Sequence, residues 1–245
     1  MNGANEIARY ERERARLARD GLYDVADERD ACGVGMVVSI DGKARRDVVT
    51  LAIAALKAVW HRGAVDADGK TGDGAGILIE APQEFLREVV VRTGHTPKDG
   101  PVFVGQIFLP RLDLGAQERA RVIVESEIIR AGFVLYSWRQ VPVNISQIGE
   151  KANATRPEIE QVLFYDPQAR PADTVDRDLF ICRRRIETRA LRDNITELYV
   201  CSLSAKRLVY KGMFLAAQID SFYPDLRDER FMSAVALYHQ RYSRS

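Results

Sequence analysis

Hydrophobic and polar positions divide the chain abruptly at residue 32. Before that point large apolar side chains are sparse. From Glu6 to Arg19 acids and arginines alternate, a pattern that suits a solvated helix stitched by i,i+4 ion pairs worth a few tenths of a kcal/mol each. From Cys32 the charge disappears. Residues 32–40, CGVGMVVSI, place Val34, Met36, Val38 and Ile40 at alternate positions and predict a strand. Asp41-Gly42 reads as a turn. Residues 47–60, DVVTLAIAALKAVW, are long and apolar enough for a largely buried helix. The loop His61-Arg62-Gly63 and the glycine-rich TGDGAG follow, with Ile77 and Ile79 opening a second buried strand.

Beyond residue 82 the two periodicities alternate. Helices are predicted over 82–92, 116–131, 144–153 and 174–193. Strands are predicted over 101–109, 132–138, 158–165, 197–203, 207–211 and 232–238. No repeat, low-complexity tract or Pro/Gly-rich linker interrupts residues 32–245, which read as one mixed α and β unit. The pattern leaves open whether its sheets are parallel or antiparallel.

Composition narrows the function. Lys+Arg number 36 against 35 Asp+Glu, so the formal net charge is +1. That balance argues against a protein built to coat nucleic acid or an anionic membrane. No apolar run approaches the length of a membrane span. Residues 1–31 carry six Arg and eight acids and lack the apolar centre of a signal peptide. Three scattered cysteines do not make a disulfide framework, and an odd count suits a reducing cytosol.

Cys32 is the most informative residue. A free cysteine is usually a small buried hydrophobe. This one opens the first strand, is followed by Gly33 and Gly35, and stands where a polar leader stops. Removal of residues 1–31 would give it a free α-amino group with an ordinary pKa of about 7.7–8.0, able to act as base for its own thiol. His61, His95 and His239 show no local pattern for a separate Cys–His pair. TGDGAG lacks the Lys-Ser/Thr ending of a phosphate loop and does not match GxGxxG, so a tight turn bringing backbone close to a site is the better reading. Cys182 and Cys201 lie in amphipathic segments and read as core, with no metal-ligand spacing. The run Arg183-Arg184-Arg185 reads as a solvated helix face.

Several segments resemble one family. LYDVADERDACGVGMVV (22–38) is similar to the propeptide junction and first strand of glutamate synthase large subunits. The resemblance continues through WHRGAVDADGKTGDGAGILIEAP (60–82), WRQVPVN (138–144), LYVCSLSAKRLVYKGMFLAAQIDSFYPDL (198–226) and ALYHQRYS (236–243), in the family's order. It implies a class II glutamine amidotransferase with the α+β N-terminal-nucleophile hydrolase fold, a four-layer αββα sandwich of antiparallel sheets. Residues 1–31 then correspond to a propeptide and 32–245 to a partial amidotransferase domain, incomplete at its C-terminus. Cys32 matches the nucleophile and Arg62 the arginine near it. Arg241 matches the arginine that grips the substrate α-carboxylate.

The implied reaction is hydrolysis of L-glutamine through a Cys thioester, with ammonia delivered to 2-oxoglutarate for glutamate biosynthesis. The resemblance implies no cofactor within these residues. It places FMN and an iron–sulfur cluster in the remainder of the full-length oxidoreductase. The expected partners are L-glutamine and either the remaining large-subunit domains or the small subunit, without nucleic acid or membrane, in the cytoplasm. The family continues with an Asn-Gly pair that supplies the oxyanion hole, whereas this sequence stops at Ser245. The isolated chain is therefore expected to be weakly active or inactive. The alternative is a non-catalytic remnant that at most binds glutamine or a partner.

Overall fold

The computed structural model describes residues 33–241, together with Arg12, Ala15, Arg16 and residues 18–21 of the leader. Residues 1–31 form a unit of their own, in which Arg12, Ala15, Arg16, Ala18, Arg19 and Asp20 are helical and exposed. In the other unit, residues 32–245, the described residues form two four-stranded sheets, and every strand pairing in them is antiparallel.

The first sheet has the order β1 (Gly33–Val38), β8 (Val235–Gln240), β2 (Ala75–Glu80), β7 (Arg207–Gly212). The second runs β4 (Val134–Gln140), β5 (Glu158–Tyr165), β3 (Phe103–Leu109), β6 (Tyr199–Ser204). The unbroken apolar run of β3 has a simple cause: the strand is interior to its sheet and buried on both faces. Its outer side chains Phe103, Ile107 and Leu109 pack under α3 (Leu114–Arg130) and α5 (Ala172–Arg192) through Ile123, Val124, Ile128, Leu179, Cys182 and Ile186. Asp113 starts α3 by accepting a hydrogen bond from Ala116 N at 2.9 Å, the usual N-cap geometry.

The inner face of this sheet meets the first. Ile77, Ile79, Leu208 and Tyr210 share a core with Val104, Phe108, Ile159, Leu163 and Cys201. Tyr210 accepts from Gln161 Nε2 at 3.1 Å and donates to Asp225 at 2.8 Å. Arg139 grips Asp225 bidentately at 2.6 and 2.8 Å, so side chains from both sheets converge on one carboxylate. On β1 the alternation is literal. Val34, Met36 and Val38 are exposed, and Val37 packs on the core beside α1 (Arg46–Ala58).

The predicted helix over 144–153 is two pieces: a 3₁₀ turn at Ile145–Gln147 and a short helix, α4 (Glu150–Ala154). Gly149 separates them where it packs against Asp68 and Thr71; a β-carbon there would overlap both side chains. Residues 214–231, given no element by pattern, form an aromatic knot of Phe214, Phe222, Tyr223 and Phe231 against Tyr210. Arg46 ties α1 to this knot by donating to Leu226 O at 2.7 Å and Phe231 O at 3.2 Å. Helix α2 (Gln83–Arg92) packs Phe85 on Phe231, 4.8 Å between ring centres.

Candidate active site

Strand register brings the sequence-predicted site residues to one end of the first sheet. Gly33 on β1 lies opposite Gln240 on β8; Gln240 lies opposite Ala75 on β2; Ala75 lies opposite Gly212 on β7. The start of β1, the start of β2 and the end of β8 therefore share one row. The residues flanking that row, Asp73-Gly74 and Arg241, extend beyond the sheet on the same side. Cys32, which precedes Gly33 directly, lies outside the described residues.

Arg62 reaches this end by a different route. Helix α1 runs back along β1 and β8 and stops at Val59, and a single 3₁₀ turn, Trp60–Arg62, follows. A β-carbon built on Gly33 would stand 3.3 Å from Val59 Cγ2 and 3.5 Å from Arg62 Cβ. The missing side chain at Gly33 is what lets the 59–62 turn close against the start of β1. Arg62 itself is exposed.

The TGDGAG segment acts as the tight turn expected of it. Val65 and Gly72 form an isolated bridge, and Asp73 N donates to Ala64 O at 3.2 Å. Asp68 closes the preceding loop by accepting from Thr71 Oγ1 at 2.5 Å, Thr71 N at 2.7 Å and Lys70 N at 2.9 Å. Those bonds hold its carboxyl down at about 2. Gly72 has no room for a side chain, because a β-carbon would press on the backbone of Phe214 and Leu215.

Arg241 docks on the end of this turn. Its backbone N donates to Gly74 O at 2.8 Å, its φ is +82°, and its Nε donates to Asp73 Oδ2 at 3.1 Å. The adjacent Gln240 is fully buried and points its Nε2 toward Gly74 O at 3.3 Å and Asp73 Oδ1 at 3.5 Å. Its Oε1 finds no hydrogen-bond partner among the described residues. His239 is half-buried beside Gly76, and burial, with Lys211 nearby, holds its pKa below the usual imidazole value. Asp73 also lines a cavity of about 660 Å³ walled by Phe108, Ile159, Arg156, Phe214 and Tyr223. A cavity of equal size opens near the Glu80 end of β2 and is lined by none of the site residues.

Two members of this cluster, Asp73 and Gln240, were not singled out from sequence. Asp73 sits inside the turn already suspected of approaching a site, and Gln240 is next to Arg241, so position alone was the available signal. Cys182 and Cys201 are both buried and, among the described residues, form no disulfide; burial pushes each thiol up to about 12. They are core residues, as their segments suggested. Among the described residues no three His, Cys, Asp or Glu side chains cluster closely enough to hold a metal ion. Among the same residues no helix is long and apolar enough to cross a membrane.

A four-stranded antiparallel sheet whose edge strand starts at Gly33, stacked on a second such sheet, agrees with the sequence profile of the glutamine amidotransferases class-II, which matches residues 32–245. The chain belongs to that family. Within it, the chain is similar to the glutamate synthase [NADPH] large chain of Azospirillum brasilense, 54% identical over 241 residues. That match covers 98% of this chain and 16% of the relative. It is 38% identical over 224 residues to the chloroplastic ferredoxin-dependent glutamate synthase of Spinacia oleracea, covering 91% of this chain and 14% of that protein. The glutamate synthase [NADPH] large chain of Bacillus subtilis (strain 168) is 35% identical over 227 residues, with 91% and 14% covered. The chain thus spans about one-sixth or less of the length of these relatives.

Proposed function

We propose that this domain hydrolyses the side-chain amide of L-glutamine as the ammonia-generating part of a glutamate synthase. The observation that carries the reading is the convergence of Gly33, Arg62, Asp73-Gly74 and Arg241 at one end of one sheet, with Cys32 the next residue along the chain from Gly33.

In this reading residues 1–31 are removed and Cys32 becomes the N-terminal residue. Its α-amino group takes the thiol proton, and the thiolate attacks the amide carbon of glutamine. A C–S bond forms, the C–N bond breaks, and the nitrogen leaves as ammonia with the proton held by the amine. Water then cleaves the thioester, releasing glutamate and restoring the thiol. Arg241 grips the substrate α-carboxylate, a task for which a planar guanidinium fork is suited. Arg62 lies beside the nucleophile strand, where its charge favours the thiolate. The remainder of the synthase polypeptide, or its small subunit, receives the ammonia, and the flavin and iron–sulfur chemistry that turns 2-oxoglutarate into glutamate belongs there.

The test is glutaminase activity of the natural polypeptide that carries these residues. Cys32→Ala should abolish ammonia release while leaving the thermal melt intact. Undiminished ammonia release from that variant would overturn the reading.

A further inference from the structure

Arg241 is held in a conformation that its side chain does not favour. A φ of +82° brings the β-carbon of a non-glycine residue against its own backbone, and such positions persist only where surrounding contacts over-determine them. Adjacent residues supply those contacts. Gly74 O fixes the Arg241 backbone at 2.8 Å, and Asp73 Oδ2 fixes the guanidinium at Nε, 3.1 Å away. The other oxygen of the same carboxylate lies 3.5 Å from Gln240 Nε2. Asp73 is fixed in its turn by the hydrogen bond from its own N to Ala64 O. Both side chains of the pair are largely sheltered, with Arg241 34% and Asp73 24% exposed.

We propose that Asp73 is the positioning residue for the substrate anchor: its carboxylate takes the Nε edge of Arg241 and so aims the Nη edge at the glutamine α-carboxylate. This rests on the reading of Arg241 as that anchor. Free arginine has four side-chain torsions, and ordering them on substrate arrival costs affinity that a pre-fixed guanidinium does not lose. Asp73 is itself an anion, so it does not add to the attraction felt by an incoming carboxylate. Its contribution is orientation, and orientation needs an acceptor at Oδ2 more than it needs the charge. Asparagine at 73 can present such an acceptor and alanine cannot.

The experiment uses the natural polypeptide with Cys32 at its N-terminus, assayed with glutamine and with glutamine whose α-carboxyl is amidated. Asp73→Ala should raise KM for glutamine about 10–100-fold with a smaller change in kcat, the scale expected when a positioning group is displaced by about 1 Å. Asp73→Asn should recover KM to within about threefold of the parent. The amidated substrate, which has no carboxylate to grip, should be turned over equally by parent and Asp73→Ala. In an Arg241→Ala background, adding Asp73→Ala should cost nothing further. An unchanged or lowered KM in Asp73→Ala would overturn the proposal, a lowered one because Asp73 would then compete with substrate for Arg241. Equal damage to both substrates would also overturn it, by making Asp73 a general structural residue. Arg241→Ala reports separately: an unchanged KM in that single variant removes the anchor reading itself.

Discussion

Gly63 and Gln240 approach so closely that a β-carbon on residue 63 would overlap the Gln240 amide nitrogen. Gln240 is buried and its Nε2 faces Gly74 O and Asp73, so the amide cannot move aside without leaving the turn that carries Arg241. Gly63→Ala should therefore lower kcat/KM for glutamine by at least about tenfold. Its cost in stability should be that of modest overpacking, about 1–3 kcal/mol. Gly42→Ala is the contrasting substitution. Gly42 has φ +69° with open space around it, so alanine there meets only backbone strain of about 1–2 kcal/mol and should leave kcat/KM unchanged. Steady-state assays and urea melts of the two variants separate the effects.

The contrast shows what sequence pattern can and cannot carry. The unbroken run through β3 follows from burial on both faces, and the two-residue period at Val34, Met36 and Val38 marked β1 as a strand although those side chains are exposed and Val37 faces the core, so both elements were readable. The bound at Gly149 was not, because it is imposed by Asp68 and Thr71, some 80 residues earlier in the chain. The aromatic knot at 214–231 has no period, since its residues pack as single turns between sheets and α1. Cys32 stands out through the composition break and the glycines that follow it and is then matched by family resemblance, whereas Arg62 and Arg241 come from resemblance alone. Asp73 and Gln240 became visible only when strand register put β1, β2 and β8 in one row.

Processing gives a direct check on the nucleophile. If the α-amine of Cys32 is the base, the active protein must begin at that residue. Mass spectrometry of the N-terminus of active protein should find Cys32, with residues 1–31 gone. An active enzyme that still begins at Met1 would eliminate the mechanism.

The three cysteines should differ sharply toward electrophiles. Burial raises Cys182 and Cys201 to about 12, so each is a protonated, shielded thiol at pH 8. A glutamine-analogue electrophile should label Cys32 in the processed protein and spare the other two until denaturant is added. Peptide mapping after a short pulse at pH 8 measures this directly, and equal labelling of all three would remove the special role of Cys32. These two thiols also predict an alkaline limit. Their folded pKa lies above the unfolded value of about 8.5, so the stability they confer is full below that value. It is lost as pH rises toward 12.

His239 sets the opposite trend at mild acid. Burial and Lys211 lower its folded pKa, so the unfolded chain takes up the proton first. The neutral ring contributes stability that is complete above the ordinary pKa of about 6.5 and is lost as pH falls through the lower folded value. Thermal melts between pH 7 and pH 5 should show a fall that His239→Gln reduces. A fall of equal size in that variant would assign the acid sensitivity to other groups.

Asp225 is the last point of leverage, because it receives Arg139 from the second sheet and Tyr210 from the first. The carboxylate is almost fully buried, and its two bonds neutralise a guanidinium whose other hydrogen bond is to the uncharged Gln161 Oε1 at 2.8 Å. Burial alone works against the charge on Arg139, and the Asp225 carboxylate outweighs it, so the arginine pKa ends up raised. Removing one partner from such a pair strands the other in a low dielectric, at a cost of about 3–5 kcal/mol. Asp225→Ala should fall in that range by urea denaturation. Tyr210→Phe removes one neutral donor and leaves Gln161 Nε2 short of an acceptor, so it should cost about 1–3 kcal/mol. Replacing Arg139 with Met and Asp225 with Leu together should recover much of the loss seen in Asp225→Ala, because no charge is then left buried and unpaired. If the double replacement is as damaging as the sum of its single replacements, the network stabilises the sheet junction by more than mutual neutralisation, and the direct Tyr210–Asp225 bond and the link from Asp225 to Gln161 through Arg139 become the terms to dissect by double-mutant cycles.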